Sequence, residues 1–600
     1  MSIAPAALPV YLQGSGEAVF GLLHPGNGEA EAEVAVLLCP PFGWEDICSY
    51  RARRDWAMSL AEAGVPVLRI DLPGSGDSPG SPRDAGRLDA WAEAVCSSAR
   101  WLRGRTGCRR LAVLGIGLGG LVACRALADG APVDDLVLWG VPARGRRLVR
   151  ELRALARLES ANFRSAQDPA PPPAPEGELE VAGFVLTPQT VAELSALDVG
   201  RVDLPRVQGR RALLLERDGL GVDAELREAL ERSALAVTTA PGPGYGAMMA
   251  EPQEARSPVA VFDRVSAWLA ESVPAAALGA NPGEDESCSE PLPGDTLPHE
   301  HREVEIVLGG GRIRERPLTV THSGGQLFGV LAEPLSTRAD LTAVLLNAGA
   351  IRRIGPGRMW VEMARRWALE GVPTLRLDVE GIGDADGDAE RYSSVAELYV
   401  PELVAQVRSA LDVMEEQGLP GRFAVLGLCS GAYMAFHCAL DDERVSTALM
   451  LNPRALFWDA SLGAARDFRR GLLRPSQWRR IREVPTTRRL ALARWALRWV
   501  LTLPVRILTR AGGAAPGDDV VSRALDRLRD TDKRAVFVFG GHEPLHEELT
   551  QTGVLQDLSR WPDLEVELIA GRDHTLRPTW AQREAHAVLD RALATELDRV

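Results

Sequence analysis

Lysine is almost missing from this chain. Lys533 is the only one in 600 residues, so nearly all positive charge is arginine and arginine content alone argues little. The eight cysteines show no paired spacing, which argues against a disulfide framework or a CxxC zinc site. No apolar run approaches the roughly 20 residues that span a bilayer. The N-terminus, Met1-Ser-Ile-Ala-Pro5, has no basic stretch leading into an apolar core, so no signal peptide is expected and the chain reads as cytoplasmic. A net charge of −14 disfavours general nucleic-acid binding. Histidine is scarce as well, with none between His24 and His299. What is present, 46% apolar and 25% charged residues, is ordinary globular material, too long for a single core.

The most informative stretch is Arg422-Phe-Ala-Val-Leu-Gly-Leu-Cys-Ser-Gly-Ala-Tyr-Met434. Phe423–Leu426 has the pattern of a buried parallel strand, and Ala432–Leu440 that of a helix. Between them Gly427-Leu-Cys-Ser-Gly431 is a sharp turn of the form G-x-Nuc-x-G, the nucleophile elbow of α/β hydrolases with cysteine in the usual place of serine. The turn would lift Cys429 above the sheet at a helix N-terminus, where a thiolate is favoured. A buried structural cysteine is the plainer alternative.

The chain also repeats itself. Gly64-Val-Pro-Val-Leu-Arg-Ile-Asp-Leu-Pro-Gly-Ser-Gly-Asp-Ser78 returns as Gly371-Val-Pro-Thr-Leu-Arg-Leu-Asp-Val-Glu-Gly-Ile-Gly-Asp-Ala385. Leu111-Ala-Val-Leu-Gly-Ile-Gly-Leu-Gly-Gly120 likewise matches Phe423–Ala432. Strands alternate with helices in each copy, which implies a mostly parallel sheet covered on both faces. The expected architecture is two tandem α/β-hydrolase domains, 1–272 and 302–600, each with an inserted cap. They are joined by a linker at 273–301 rich in Pro, Gly, Glu and Ser.

The first copy lacks its chemistry. Gly117 occupies the nucleophile position, and the stretch matching the later histidine loop is Ala240-Pro-Gly-Pro-Gly-Tyr-Gly246. Asp218 could serve as an acid, but an acid without nucleophile and base does nothing. Gly115-x-Gly117-x-x-Gly120 formally fits a dinucleotide fingerprint. It follows the wrong strand, and Asp134 and Asp135 begin the next strand rather than end it. No cofactor and no metal are expected.

The second copy keeps a full set in the chain order nucleophile, acid, histidine. After Cys429 come Gly540-Gly-His-Glu-Pro544, with Glu543 as the acid, and Gly571-Arg-Asp-His-Thr575, with His574 as the base. Asp573 is the alternative acid, and His542 and His546 read as loop or pocket residues. Oxyanion donors should be the backbone N–H of Ser430 and one from Asn347-Ala-Gly-Ala-Ile351, Ala350 or Gly349.

Asn347-Ala-Gly, Arg353-Ile-Gly-Pro-Gly-Arg358, Asp378-Val-Glu-Gly-Ile-Gly-Asp384 and Gly427-Leu-Cys-Ser-Gly-Ala432 resemble the α/β hydrolases associated with exosortase systems. The first copy, with Pro40-Pro-Phe-Gly43 and Tyr245-Gly-Ala-Met-Met249, is similar to a companion class of the same hydrolases. The cysteine nucleophile is similar to that of dienelactone hydrolases and some thioesterases. The resemblance implies acyl or ester chemistry and no metal.

A cap is expected at about 456–530. From Arg466 to Arg510 it carries 13 arginines against Asp467 and Glu483, a net charge of +11. Arg494, Arg498, Trp495 and Trp499 recur at i, i+4 on a helix expected over Arg488–Leu503. A solvated helical cap is one reading. The other is a docking surface for an acidic acyl-carrier protein or a coenzyme A ester. Contact with a membrane surface through the same helix is disfavoured. The expected function is acyl transfer on a thioester or ester through an acyl-Cys intermediate, with a small-ester or lactone hydrolase and a non-catalytic scaffold as alternatives.

Overall fold

The structure, a computed structural model, describes residues 7–14, 16–26, 32–162, 175–271, 298–336, 338–458 and 520–599. Arg494, Trp495, Arg498 and Trp499, with most of the expected cap, lie outside the described residues. The first half forms strands β1 (Leu8–Gln13), β2 (Val19–His24), β3 (Val34–Cys39), β4 (Val67–Ile70), β5 (Arg110–Ile116) and β6 (Asp135–Trp139). The hairpin β7 (Leu179–Val181) and β8 (Phe184–Leu186) precedes β9 (Arg211–Leu215), β10 (Ala236–Ala240) and β11 (His299–His301). The second half forms β12 (Val304–Leu308), β13 (Gly311–His322), β14 (Gly325–Pro334), β15 (Leu341–Leu345) and β16 (Thr374–Asp378). It continues with β17 (Arg422–Leu428), β18 (Val445–Leu451), β19 (Arg534–Phe539) and β20 (Leu564–Leu568).

Duplication extends to topology. Read from the antiparallel edge, the sheets run β11-β1-β2-β4-β3-β5-β6-β9-β10 and β12-β13-β14-β16-β15-β17-β18-β19-β20. The central strands are apolar on both faces because helices cover both. In β3, Ala35 and Leu37 pack with the helix Arg87–Thr106, while Val34, Val36 and Leu38 pack with Trp56 and Phe262 on the other side. Among the described residues no helix is long and apolar enough to cross a membrane.

Two local features depart from the sequence reading. The antiparallel strands β12–β14 carry no turn signal stronger than Gly309-Gly310 and Gly324-Gly325, so only parallel strands are legible in the pattern. The last residues of the expected linker, His299–His301, pair with Gln13–Tyr11 and form an edge strand of the first sheet.

The repeated Asp and Gly-x-Gly turn holds the halves together. At Gly76 and Gly383 an added Cβ would come within 2.1 and 2.0 Å of the carboxylates of Asp71 and Asp378. Glycine therefore lets the N–H groups of Asp77 and Asp384 reach those carboxylates at 2.9 and 3.2 Å. The turn presents Asp77 and Asp384 to the opposite domain, where they pair reciprocally. Arg69 meets Asp384 at 2.6 Å, and its repeat counterpart Arg376 meets Asp77. The contact is two-fold in character, as in a homodimer whose copies have been fused.

Arg353 sits at the centre of this contact, fully buried. It reaches Asp77 at 2.6 Å and both Asp378 and Asp384 at 2.7 Å. Arg352 bridges Asp71 and Asp46 at 3.1 and 3.2 Å and lies 3.9 Å from the centre of the Tyr50 ring. Glu315 takes Arg365 and Arg376, at 2.7 and 3.1 Å. Despite burial, the guanidiniums of Arg69 and Arg353 hold the Asp384 carboxyl well below the usual range. Each charge of this network has a partner of opposite sign, as burial of charge favours.

Candidate active site

The elbow follows β17 and opens the helix Ser430–Asp441. Cys429 has φ 60° and ψ −111°, a backbone conformation that costs a non-glycine residue of order 1–3 kcal/mol and persists where the surroundings impose it. Here the surroundings are backbone. A Cβ on Gly427 would lie 2.0 Å from the Gly431 carbonyl carbon, and one on Gly431 would lie 2.5 Å from the Asn347 oxygen. The Cys429 N–H donates to Leu451 O at 3.0 Å, fixing the turn on the neighbouring strand.

The chain ends beyond β19 and β20 meet above this turn. His574 Nδ1 lies 3.0 Å from both carboxylate oxygens of Glu543, which is 5% exposed. His574 Nε2 is buried and completes no hydrogen bond among the described residues. The Cys429 thiol is near enough to couple to it electrostatically. Burial pushes that thiol up, but the charge of His574, with a hydrogen bond from Tyr399, outweighs it and leaves the thiol below its ordinary value. Burial lowers His574, but Cys429 and Glu543 outweigh it and raise the imidazole. Both shifts favour a thiolate–imidazolium pair.

Asp573 is turned away. Its carboxylate accepts from Arg577 N at 2.8 Å and Arg577 Nε at 2.9 Å. His542 adopts φ 67° in the turn before Glu543, and the His546 ring packs on Phe539 at 5.2 Å between centroids.

The oxyanion loop corrects one expectation. The N–H of Gly349 is already committed, donating to Ser430 Oγ at 3.2 Å. The same bond occupies the Ser430 hydroxyl, which is 1% exposed, beside the elbow rather than above it. The N–H groups of Ala350 and Ser430 have no acceptor among the described residues. The loop is anchored by Asn347, whose amide donates to Ile351 O and Asp378 Oδ1 at 3.0 and 2.9 Å and accepts from Val379 N at 3.0 Å.

Two side chains in the site give no sequence signal that would single them out. Tyr399 Oη lies 3.4 Å from Cys429 Sγ, with its ring stacked on Trp458 at 4.3 Å. Asn452, just past β18, donates to His574 O at 2.8 Å and accepts from Gly540 N at 2.7 Å, tying three loops together. An Asn-Pro at a strand end is the only clue. The repeat places Gly140 there in the first domain.

The first domain retains the turn but not the groups. Gly117 has φ 52° and ψ −117°, close to Cys429. A Cβ there would face Glu45 Oε2 at 3.5 Å and Tyr245 Oη at 3.9 Å, neither of them an imidazole. Burial pushes Glu45 up to about 7. Asp218 accepts from the N–H groups of Gly244, Tyr245 and Gly246 at 2.5, 3.2 and 2.6 Å, so it closes its own loop. Gly117→Cys is therefore expected to restore no acylation, read as unchanged protein mass after thioester exposure in a Cys429→Ala background.

Residues of the first domain instead brace the histidine loop of the second. Glu180 accepts from Thr579 N and Oγ1 at 2.8 and 2.6 Å, capping the helix Thr579–Leu597. Arg577 lies 5.1 Å from the centre of the Trp44 ring and 3.6 Å from Glu251.

Residues 35–263 match the family described as Alpha/beta hydrolase family. No curated protein matches the chain. Among solved structures, Est1E from Butyrivibrio proteoclasticus, determined with ferulic acid bound, is 18% identical over 43% of this chain and 97% of its own, with a TM-score of 0.32. The serine hydrolase XC6422 from Xanthomonas campestris is 16% identical over 45% and 98%, TM-score 0.27. The esterase Pf2001 from Pyrococcus furiosus is 16% identical over 44% and 91%, TM-score 0.30. With a match to that family over residues 35–263 and the same order of eight strands in each half, β1-β2-β4-β3-β5-β6-β9-β10 and β13-β14-β16-β15-β17-β18-β19-β20, the chain carries the α/β-hydrolase fold twice.

Proposed function

We propose that the second domain is an acyl-transfer enzyme working through an acyl-Cys429 intermediate, with His574 as base and Glu543 as its orienter. The observation that supports this reading is the His574 imidazole, bonded through Nδ1 to the Glu543 carboxylate at 3.0 Å and coupled electrostatically to Cys429, which sits on a strained elbow. His574 Nε2 takes the thiol proton, and the thiolate, helped by a hydrogen bond from Tyr399, attacks the acyl carbonyl carbon. The resulting oxyanion is held by the N–H groups of Ala350 and Ser430. Collapse expels the thiol or alcohol, which takes the proton back from His574. Water or an acceptor nucleophile, deprotonated by His574, then attacks the thioester and releases Cys429. Thioester intermediates are open to amines as well as water, so transfer and hydrolysis share this route.

Support for a thioester substrate comes from the sequence. The +11 segment suits an acidic acyl-carrier protein or a coenzyme A ester. The resemblance to exosortase-associated hydrolases suits a biosynthetic setting. The test is turnover of acyl-carrier and coenzyme A thioesters beside small neutral esters. Equal kcat/KM for all of them would remove the carrier argument, and no turnover of any would favour the scaffold reading.

The ion pair sets the pH dependence. Acylation needs the thiolate, so kcat/KM rises as pH climbs through the Cys429 value, below the ordinary thiol range. It also needs the proton on His574 for the leaving group, so it falls near the raised His574 value of about 10. The expected profile is a bell whose acid limb lies below the ordinary thiol range. An acid limb at the ordinary thiol value of about 8.5 would contradict the pair.

A further inference from the structure

Between the two domains lies a cavity of about 510 Å³, within the range of small-molecule sites. It sits over the elbow of the first domain, beside Leu118, the residue after Gly117. Its inner wall is apolar. Leu72, Trp91, Leu118 and Val185 are each 3% exposed or less. The half-buried rings of Phe42 and Phe184 meet edge to face at 6.2 Å between centroids.

The opposite wall, from the second domain, is charged. Arg366 is paired with Asp590 at 3.1 Å. Asp46, on the first-domain side, is already taken by Arg53 and Arg352. Arg358, 4% exposed, meets carbonyls instead of a carboxylate. Its Nε, Nη1 and Nη2 donate to Gly76, Gly80 and Ser78 oxygens at 2.9, 3.2 and 2.6 Å. Burial, with the charge of Arg365, pulls its guanidinium down to about 9. Arg583, at the exposed rim, has no acidic partner among the described residues. Arg83 is paired with Glu178 at 3.1 Å, so against Arg358 and Arg583 stands Glu362 alone and the cavity holds one unbalanced positive charge.

We propose that this cavity binds an amphiphilic monoanion, a carboxylate on an acyl or aryl body, as a ligand that is held and not turned over. The apolar body lies against Phe42, Leu118 and Phe184, and the carboxylate faces Arg358 and Arg583. Gly117 and the absent histidine ensure that the ligand survives. The site is independent of Cys429, and because it spans both domains its occupation favours the assembled chain.

The test uses the full-length protein with anilinonaphthalene sulfonate as fluorescent probe, displaced by dodecanoate or dodecanol. One equivalent of probe is expected, with dodecanoate displacing it about tenfold better than dodecanol, as a charge-assisted bond of about 1.4 kcal/mol implies. Displacement should persist after Cys429 is alkylated with iodoacetamide. It should weaken about tenfold in Leu118→Trp, which fills the inner wall, and several-fold in Arg583→Glu, an exposed position with no structural bonds to lose. If Leu118→Trp fails to fold, Arg583→Glu and the acid–alcohol comparison decide. Equal displacement by acid and alcohol, unchanged binding in these variants, or loss on alkylation of Cys429 would each overturn the proposal.

Discussion

Cys429→Ala is expected to lower kcat/KM by about 10⁴-fold or more while leaving the fold and melting temperature nearly unchanged, because covalent catalysis has no substitute nucleophile in this site. Ser430, the adjacent hydroxyl, is 1% exposed and engaged with the Gly349 N–H, so it cannot take over without dismantling the oxyanion loop. Folding should tolerate the change, since removing one sulfur from a half-buried site leaves the elbow backbone and its bond to Leu451 intact. Glu543→Gln should keep the geometry yet cost about 10²–10⁴-fold in kcat by losing the charge that stabilises the imidazolium. Asp573→Asn should cost far less in kcat, because Asp573 bonds Arg577 and not His574. Steady-state kinetics beside circular dichroism and thermal melts separate these cases. Equal losses from Glu543→Gln and Asp573→Asn would mean the acid is wrongly assigned.

Arg353→Ala is expected to destabilise the assembled protein by about 3–5 kcal/mol, because it leaves Asp378 buried without a cation and takes one partner each from Asp77 and Asp384, which keep Arg376 and Arg69. In a thermal melt of the assembled chain this is a fall of about 2–4 °C. The exposed pair Arg109–Glu33, at 3.4 Å with both side chains 61% exposed, is the control. Its removal should cost under about 1 kcal/mol. Arg353 should also depress kcat, since Asp378 accepts both from its guanidinium and from the Asn347 amide that anchors the oxyanion loop. A variant that melts like wild type would show that the ion network does not hold the halves together. One that loses stability but keeps full kcat would show that the loop does not depend on it.

The elbow was legible because its information is local. Gly427, Cys429 and Gly431 lie within five residues, and the steric need for each glycine follows from one turn. The pairing of Glu543 with His574 was legible from chain order, since each follows a strand whose place in the sheet is set by the repeat. Tyr399 and Asn452 were not, because the first comes from a loop 30 residues before Cys429 and the second acts only through backbone groups of distant loops. The repeated Asp71, Asp77, Asp378 and Asp384 stood out as a pattern without a purpose. Their role depends on which faces of the two domains meet, and no local periodicity encodes that. Gly349 was misread for a similar reason, as its N–H is removed from the oxyanion site by a side chain 81 residues away.

The most direct measurement of the central claim is intact-protein mass after brief exposure to a panel of acyl thioesters, with wild type beside Cys429→Ala. The account predicts a single acyl-sized gain in wild type, none in the variant, and an adduct mapped to the peptide bearing Cys429. Equal labelling of both proteins, or turnover that persists in Cys429→Ala, would contradict an acyl-Cys429 intermediate.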